Sequence, residues 1–369
     1  MKIFYHHQRL NIAIYPLIEK KLKQLILNHP DIRDIYKYLD QIQNLWAKYI
    51  KTKYSVFTDS GTSCIWIGLS VLGVKKNDEV ILPVTAHPAT VLSILGLSAK
   101  PVFIDINPDL SPNLKDLKRK ISKKTKVIII SYMYGKSLNP YPILELAKQH
   151  NLKILEDACQ AHGSEYQNKK LGSFGDIGCF SFNFRKTIST FGEGGAINFN
   201  SKKIKTEIHK RTLYKLDSQL IISTKRPTPY FSYNSLPFIE IKTKLAKKIE
   251  QNKLLSARIY GKYLSKIKQV KLIKDKPYEK TIWQNYLIYA KKRDKLARFL
   301  ERNGIEGAEF QFEPVYTFKI FKPFIKKQCF PGAKYYHKHG LALPIFPLIK
   351  PAEIKYVIQK INQFYSNSK

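Results

Sequence analysis

Hydrophobic and polar positions follow two different periods along the chain, and the switch between them lays out the fold. Over residues 12–49, apolar side chains recur at three- and four-residue spacing among Lys, Asp and Gln, which predicts a helical arm broken near Pro30. Short, nearly continuous apolar runs then take over and predict strands at 54–58, 79–82, 101–105, 127–130 and 153–157. Between them, the pattern predicts helices over 64–72, 88–97, 114–121 and 141–150. Strand and helix units repeated at this length predict an α/β fold, a mainly parallel sheet sandwiched by helices. After Gly195 the pattern blurs into a helix at 201–213, a polar connector at 218–234 and a lysine-rich helix at 238–265. From residue 282 the chain resumes as a smaller α+β unit, with a strand at 286–290, a helix at 293–303, a turn at Gly304 and a last helix at 352–365. The expected division is an arm and large domain over 1–250 and a small C-terminal α+β domain over 251–369.

In a sheet of this kind, ligands lie off the carboxyl ends of the strands. Residues 60–63, 85–87 and 157–160 each follow a predicted strand, so three separate stretches are expected to meet on one rim. Ser60-Gly61-Thr62-Ser63, at a helix start, offers backbone N–H groups and hydroxyls to an anion, although Ser-Gly-Thr is also an ordinary helix cap. Asp157 ends an apolar strand, where a carboxylate can keep a pyridine nitrogen protonated, and Gln160 can reach that ring's phenolic oxygen. Taken alone, Asp157 also reads as the cap of the next helix. His87 can lay its imidazole on a ring, or be a structural loop histidine.

Lys186 carries the most chemical promise. It sits in Ser181-Phe182-Asn183-Phe184-Arg185-Lys186-Thr187-Ile188-Ser189, just before Gly192-Glu193-Gly194-Gly195. An amine that attacks a carbonyl must lose its proton near neutral pH, and partial burial or a neighbouring cation such as Arg185 favours that. Ser181, on the same stretch, can add a hydroxyl to a phosphate site.

Composition narrows the classes. The 369 residues carry 64 Lys plus Arg against 28 Asp plus Glu, a formal charge of +36. The basic residues are diffuse and mostly Lys, and no RNA-binding or zinc-finger signature accompanies them, so a solvated surface is expected rather than a nucleic-acid site. Cys64, Cys159, Cys179 and Cys329 form no CxxC pair, which points to a reducing cytoplasm with neither a zinc site nor a dense disulfide scaffold, and no metal is expected. The first nine residues lack the apolar core of a signal peptide, and no apolar run approaches membrane-spanning length.

Taken together, these stretches resemble the DegT/DnrJ/StrS family of pyridoxal-phosphate-dependent sugar aminotransferases, of the fold-type I superfamily. The likeness rests on Ser60-Gly61-Thr62, Asn77-Asp78-Glu79-Val80-Ile81-Leu82-Pro83, Lys100-Pro101-Val102-Phe103-Ile104-Asp105, Glu156-Asp157-Ala158-Cys159-Gln160-Ala161-His162-Gly163, Gly172-Ser173-Phe174-Gly175-Asp176 and the Lys186 stretch. The resemblance implies that Lys186 is the Schiff-base lysine, that Asp157 holds the pyridinium and Gln160 the ring oxygen, and that Gly61, Thr62, Ser63 and Ser181 hold the phosphate. It places His87 at an aromatic stacking position. It also implies that Asn234 reaches the phosphate of a partner subunit, hence a homodimer. The implied reaction moves an amino group from an amino acid, glutamate, to a nucleotide-linked keto-sugar in surface-polysaccharide or natural-product biosynthesis. Relatives of this fold that dehydrate sugars carry His at the lysine position, and Lys186 argues against that activity. A basic regulator or nucleic-acid binder that kept the fold is the alternative from another class. Leu236, Gln311 and Tyr316 depart from the family pattern on the substrate side.

Overall fold

The computed structural model describes residues 8–28, 32–212, 231–305, 313–325 and 328–367. The break expected near Pro30, most of the 218–234 connector, and Gln311 lie outside them. Helices α1 (Gln8–Asn28) and α2 (Ile32–Ile50) precede an alternating region: β1 (Tyr54–Thr58), α3 (Gly61–Val71), β2 (Glu79–Pro83), α4 (Pro88–Leu95), β3 (Lys100–Ile104), α5 (Leu114–Lys120), β4 (Thr125–Ser131), α6 (Tyr141–Gln149) and β5 (Lys153–Asp157). The short strands β6 (Glu165–Tyr166) and β7 (Lys169–Lys170) lead to β8 (Ile177–Ser181), β9 (Gly195–Phe199), α7 (Lys202–Thr212), α8 (Leu236–Lys244) and α9 (Ala246–Leu264). The C-terminal part comprises β10 (Val270–Leu272), β11 (Glu279–Lys280), β12 (Tyr286–Ala290), α10 (Arg293–Arg302), α11 (Lys322–Ile325), α12 (Pro331–His339), β13 (Gly340–Leu343) and α13 (Pro351–Ser366).

Seven strands form the central sheet in the order β1-β9-β8-β5-β4-β2-β3. Only β9 runs against the others, pairing antiparallel with both β1 and β8. Side chains alternate between two apolar layers, as the pleat requires. Val80, Leu82, Val127 and Ile129 enter one core, beside α3 and α4, while Ile81, Ile128 and Ile130 enter the other, beside α2, α5, α6 and α8. Burial on both faces is why these strands read as unbroken apolar runs.

The first core continues without interruption into the small sheet β10-β12-β13 and its helices, through Tyr286, Ile288, Leu300 and Ile354. A third sheet, β11-β6-β7, joins the segment after β10 to the large sheet's connecting loops. The single helix expected over 238–265 is in fact two, α8 and α9, which meet at Leu245. Each half packs on different partners, α8 on α1 and α2 and α9 on α13, so tertiary packing bends a stretch whose local pattern is continuous. No helix among the described residues is long and apolar enough to cross a membrane.

Candidate active site

The parallel strands end together, and their carboxyl ends carry the chemistry. Thr58, Pro83, Asp157 and Ser181 finish β1, β2, β5 and β8, and the reversed strand β9 begins beside Ser181 at Gly195. Ser60 is the N-cap of α3; its Oγ accepts from the Ser63 N–H at 3.2 Å. The remaining N–H groups of the first turn have no intrahelical acceptor, and together with the helix dipole they favour an anion there.

Gly61 shows how closely the pieces meet. A Cβ built on it would stand 2.8 Å from Ser181 Cβ and 2.9 Å from Cys159 Sγ. The start of α3, the end of β8 and the turn after β5 therefore share one cradle that only glycine fits. Gly61→Ala is expected to cost roughly 1–3 kcal/mol in stability, because neither neighbour is the far end of a flexible chain. It should weaken anion binding at the same place, which thermal melts with and without added phosphate ester would measure.

Asp157 is buried and held on both oxygens, by Thr90 Oγ1 at 2.8 Å and by the Cys159 N–H at 3.3 Å. Thr90 lies on the first turn of α4, and His87 caps that helix, its Nδ1 accepting from the Ala89 N–H at 3.2 Å. His87 is exposed, and partial desolvation lowers its pKa, with the Lys186 charge adding to the effect and Asp157 opposing it. Gln160 is buried, and its Oε1 accepts from the Tyr134 N–H at 2.8 Å, which leaves the amide NH2 to donate elsewhere.

Lys186 is partly exposed, as a group that meets a ligand must be. Desolvation holds its ammonium below the ordinary lysine range; Cys159, Asp157 and Glu193 oppose this, and Arg185 assists it. No hydrogen bond or ion pair among the described residues holds its Nζ. Two other lysines beside the same loop contrast with it. Lys242 Nζ donates to Asn11 Oδ1 and to both oxygens of Ser189, each at 2.7 Å for the serine, and Lys253 Nζ donates to Thr187 Oγ1 at 2.7 Å. Both are fully buried with no carboxylate partner among the described residues, and burial lowers each to about 7.

The lowered values predict a pH dependence of stability. The folded value for Lys253, about 7, is below the 10.5 of a free lysine, so its contribution is complete above 10.5 and is lost as the pH falls through about 7. Lys253→Met is expected to flatten part of the rise in urea stability across that window. An unchanged slope would show that the buried amine does not titrate there.

Thr62 is exposed and Ser63 half-buried at the start of α3. Ser181, buried, accepts on Oγ from the Asn183 N–H at 3.3 Å. The structure thus brings Gly61, Thr62, Ser63, His87, Asp157, Ser181 and Lys186 to one rim, with Gln160 on the turn beside them. Asn234 is exposed on a single turn before α8, and among the described residues none of the rim's hydrogen bonds involves it. Tyr316 lies parallel to the rings of Phe330 and His337, on a segment whose Val315 N–H donates to Val84 O at 2.9 Å, just ahead of His87.

Sequence reading did not find Thr90, His162, Lys242, Lys253 or Gln284. His162 is buried against Phe180 and accepts on Nδ1 from the Ile188 N–H at 3.2 Å, bracing the Lys186 loop from behind. Its place in the Asp157-to-Gly163 motif was the one available signal.

The model of the DegT/DnrJ/EryC1/StrS aminotransferase family matches residues 18–221 and 241–362. A GDP-perosamine synthase of Vibrio cholerae is 30% identical over 342 residues, covering 89% of this chain and 91% of that protein. The crystal structure of S. venezuelae DesV in complex with a ketimine intermediate superposes with a TM-score of 0.89 at 21% identity, covering 97% of each chain. NtdA from Bacillus subtilis, with bound cofactor PMP, superposes at 0.83 with 21% identity, covering 98% of this chain and 85% of that one. The chain belongs to the DegT/DnrJ/EryC1/StrS family of aminotransferases, which depend on pyridoxal phosphate.

Proposed function

We propose that this aminotransferase moves an amino group from glutamate to a keto-sugar carried on a nucleotide. The observation that carries the reading is the unheld, desolvated amine of Lys186 in one cluster with Asp157, a buried carboxylate fixed by Thr90. The residues present fit a phosphorylated pyridine. The cradle opened by Gly61 lies between the hydroxyl-bearing start of α3 and Ser181, a donor set suited to a phosphate.

Pyridoxal phosphate, when bound, supplies the electron sink for the bond broken beside the transferred amino group. Asp157 keeps the ring nitrogen protonated, and Thr90 keeps Asp157 in place. Gln160, its oxygen already committed to Tyr134, presents its NH2 to the ring oxygen. His87 covers the ring. Lys186 would hold the cofactor through its Nζ, and the same atom would take the donor's α-proton and return it. Two copies pair, and Asn234 of each reaches the phosphate of the other.

The +36 charge suits an acceptor bearing a diphosphate, and the similarity to a GDP-perosamine synthase over 89% of the chain supports the nucleotide link. A panel of nucleotide-linked keto-sugars, tested for glutamate-dependent amination, is the direct test. Amination of a free keto-sugar in preference to every linked one would overturn the nucleotide assignment. Steep salt-dependent DNA retention without any turnover would favour the binding protein instead.

A further inference from the structure

The segment that carries Lys186 belongs to neither a strand nor a helix, so its backbone groups need partners from elsewhere. Some come from within the loop: the Lys186 N–H donates to Asn183 O at 2.8 Å, and the Phe184 N–H to Gly192 O at 2.8 Å. The two peptide units that flank the Lys186 Cα are held by one distant side chain. Gln284 Nε2 donates to the carbonyl of Arg185 at 2.7 Å, and Gln284 Oε1 accepts from the N–H of Thr187 at 3.2 Å. The same oxygen accepts from Thr187 Oγ1 at 3.1 Å, and that hydroxyl accepts in turn from Lys253 Nζ at 2.7 Å. A primary amide suits this task, because donor and acceptor lie on one planar head.

Gln284 is itself anchored. Its N–H donates to Tyr134 O at 2.7 Å, on a short turn where Tyr134 and Gly135 both adopt positive φ, 57° and 78°. A Cβ on Gly135 would stand 2.6 Å from Ile282 O and 2.7 Å from Gln160 O, so the turn is wedged between the Gln160 and Gln284 segments. The same turn donates its Tyr134 N–H to the Gln160 side chain. One small base thus ties the orientation of Gln160 to that of the Lys186 backbone.

We propose that Gln284, on the segment leading into β12, is a positioning residue that sets the direction of the Lys186 side chain through the two peptide groups flanking it. The inference rests on Lys186 being the residue that bonds pyridoxal phosphate. Rotation of either peptide swings the Cα–Cβ bond, and the long side chain multiplies the displacement at Nζ. A misplacement of about 1 Å at a reacting atom can slow a step by roughly 10²-fold.

The test uses the full chain as wild type and as Gln284→Met, which keeps the volume and removes all three hydrogen bonds. Pyridoxal phosphate is added to the apo protein, and the near-visible band that borohydride abolishes is followed for its rate of appearance and its pH midpoint. Transfer kinetics are split into kcat and KM. The expected result is a band that forms about 10–100-fold more slowly with a displaced midpoint, and a lower kcat at unchanged sugar KM. A merely structural role would lower the melting temperature and leave the midpoint where it was. Should Gln284→Met fail to fold, Gln284→Glu replaces it, since it keeps an acceptor for the Thr187 N–H and removes the donor to the Arg185 carbonyl. The glutamate variant is likewise expected to show the slower band. Wild-type rate, midpoint and kcat in Gln284→Met, or in Gln284→Glu where that one is used, overturn the proposal. Absence of the band in the wild type overturns the assignment of Lys186 and this inference with it.

Discussion

Lys186→Ala is expected to abolish the borohydride-sensitive near-visible band and to lower amino transfer by roughly 10²–10⁴-fold through loss of the proton carrier alone. The fold should survive, because no hydrogen bond or ion pair among the described residues depends on that amine. Lys253→Met is the informative companion. Its amine is fully buried and hydrogen-bonded to Thr187, so the variant should keep the band that Lys186→Ala loses. A further expectation concerns pH. Desolvation holds the Lys186 ammonium below 10.5, so attachment of the cofactor should accelerate as the pH rises through that lowered value and level off before a free lysine would. Persistence of the band and of full turnover in Lys186→Ala would remove the mechanism.

Glu156→Ala is expected to have the largest effect on stability. The residue neighbours Asp157 on β5 but points to the opposite face, where it is fully buried. Its carboxylate accepts from Tyr132 OH at 2.6 Å and from the N–H groups of Gly172, Phe174 and Gly175 at 2.8, 2.6 and 2.7 Å. Burial raises its pKa above the usual glutamate range, while these four donors pull it down. Truncation strands three backbone donors and a phenol, at an expected cost of about 3–5 kcal/mol. The turn at 172–175 leads directly into β8, so looser packing there should also weaken cofactor binding at Ser181. Urea denaturation checks the first expectation and cofactor titration the second. A loss below about 1 kcal/mol would mean that the turn finds other acceptors. Glu156→Gln, which keeps an acceptor oxygen, should fall between the two.

Much of the large sheet was legible along the chain. The strands from Tyr54 to Asp157 appear within two residues of where the apolar runs place them, because each run is buried on both faces and bounded by residues that break regular structure. The reversed direction of β9 was not legible. Its five buried residues, Gly195–Phe199, look like any other core strand, and only pairing with β1 and β8 determines which way it runs. The bend at Leu245 was hidden for a related reason: local apolar spacing records that a face is buried, and does not record against what.

The site divides along the same line. Asp157 and the Ser-Gly-Thr turn could be picked out because each stands at a strand end or helix start, and Lys186 because of the residues on either side of it, all features of local sequence. Their supports could not. Thr90 reaches Asp157 across 67 positions, Gln284 reaches Thr187 across 97, and Lys253 reaches Thr187 across 66. By itself, the sequence determined which groups are available for chemistry and roughly which rim they occupy, since the positions of strand ends and helix starts along the chain follow from short-range patterning. The tertiary structure alone decided which distant donors and acceptors hold those groups in line, because a hydrogen bond depends on positions in space that no local period encodes.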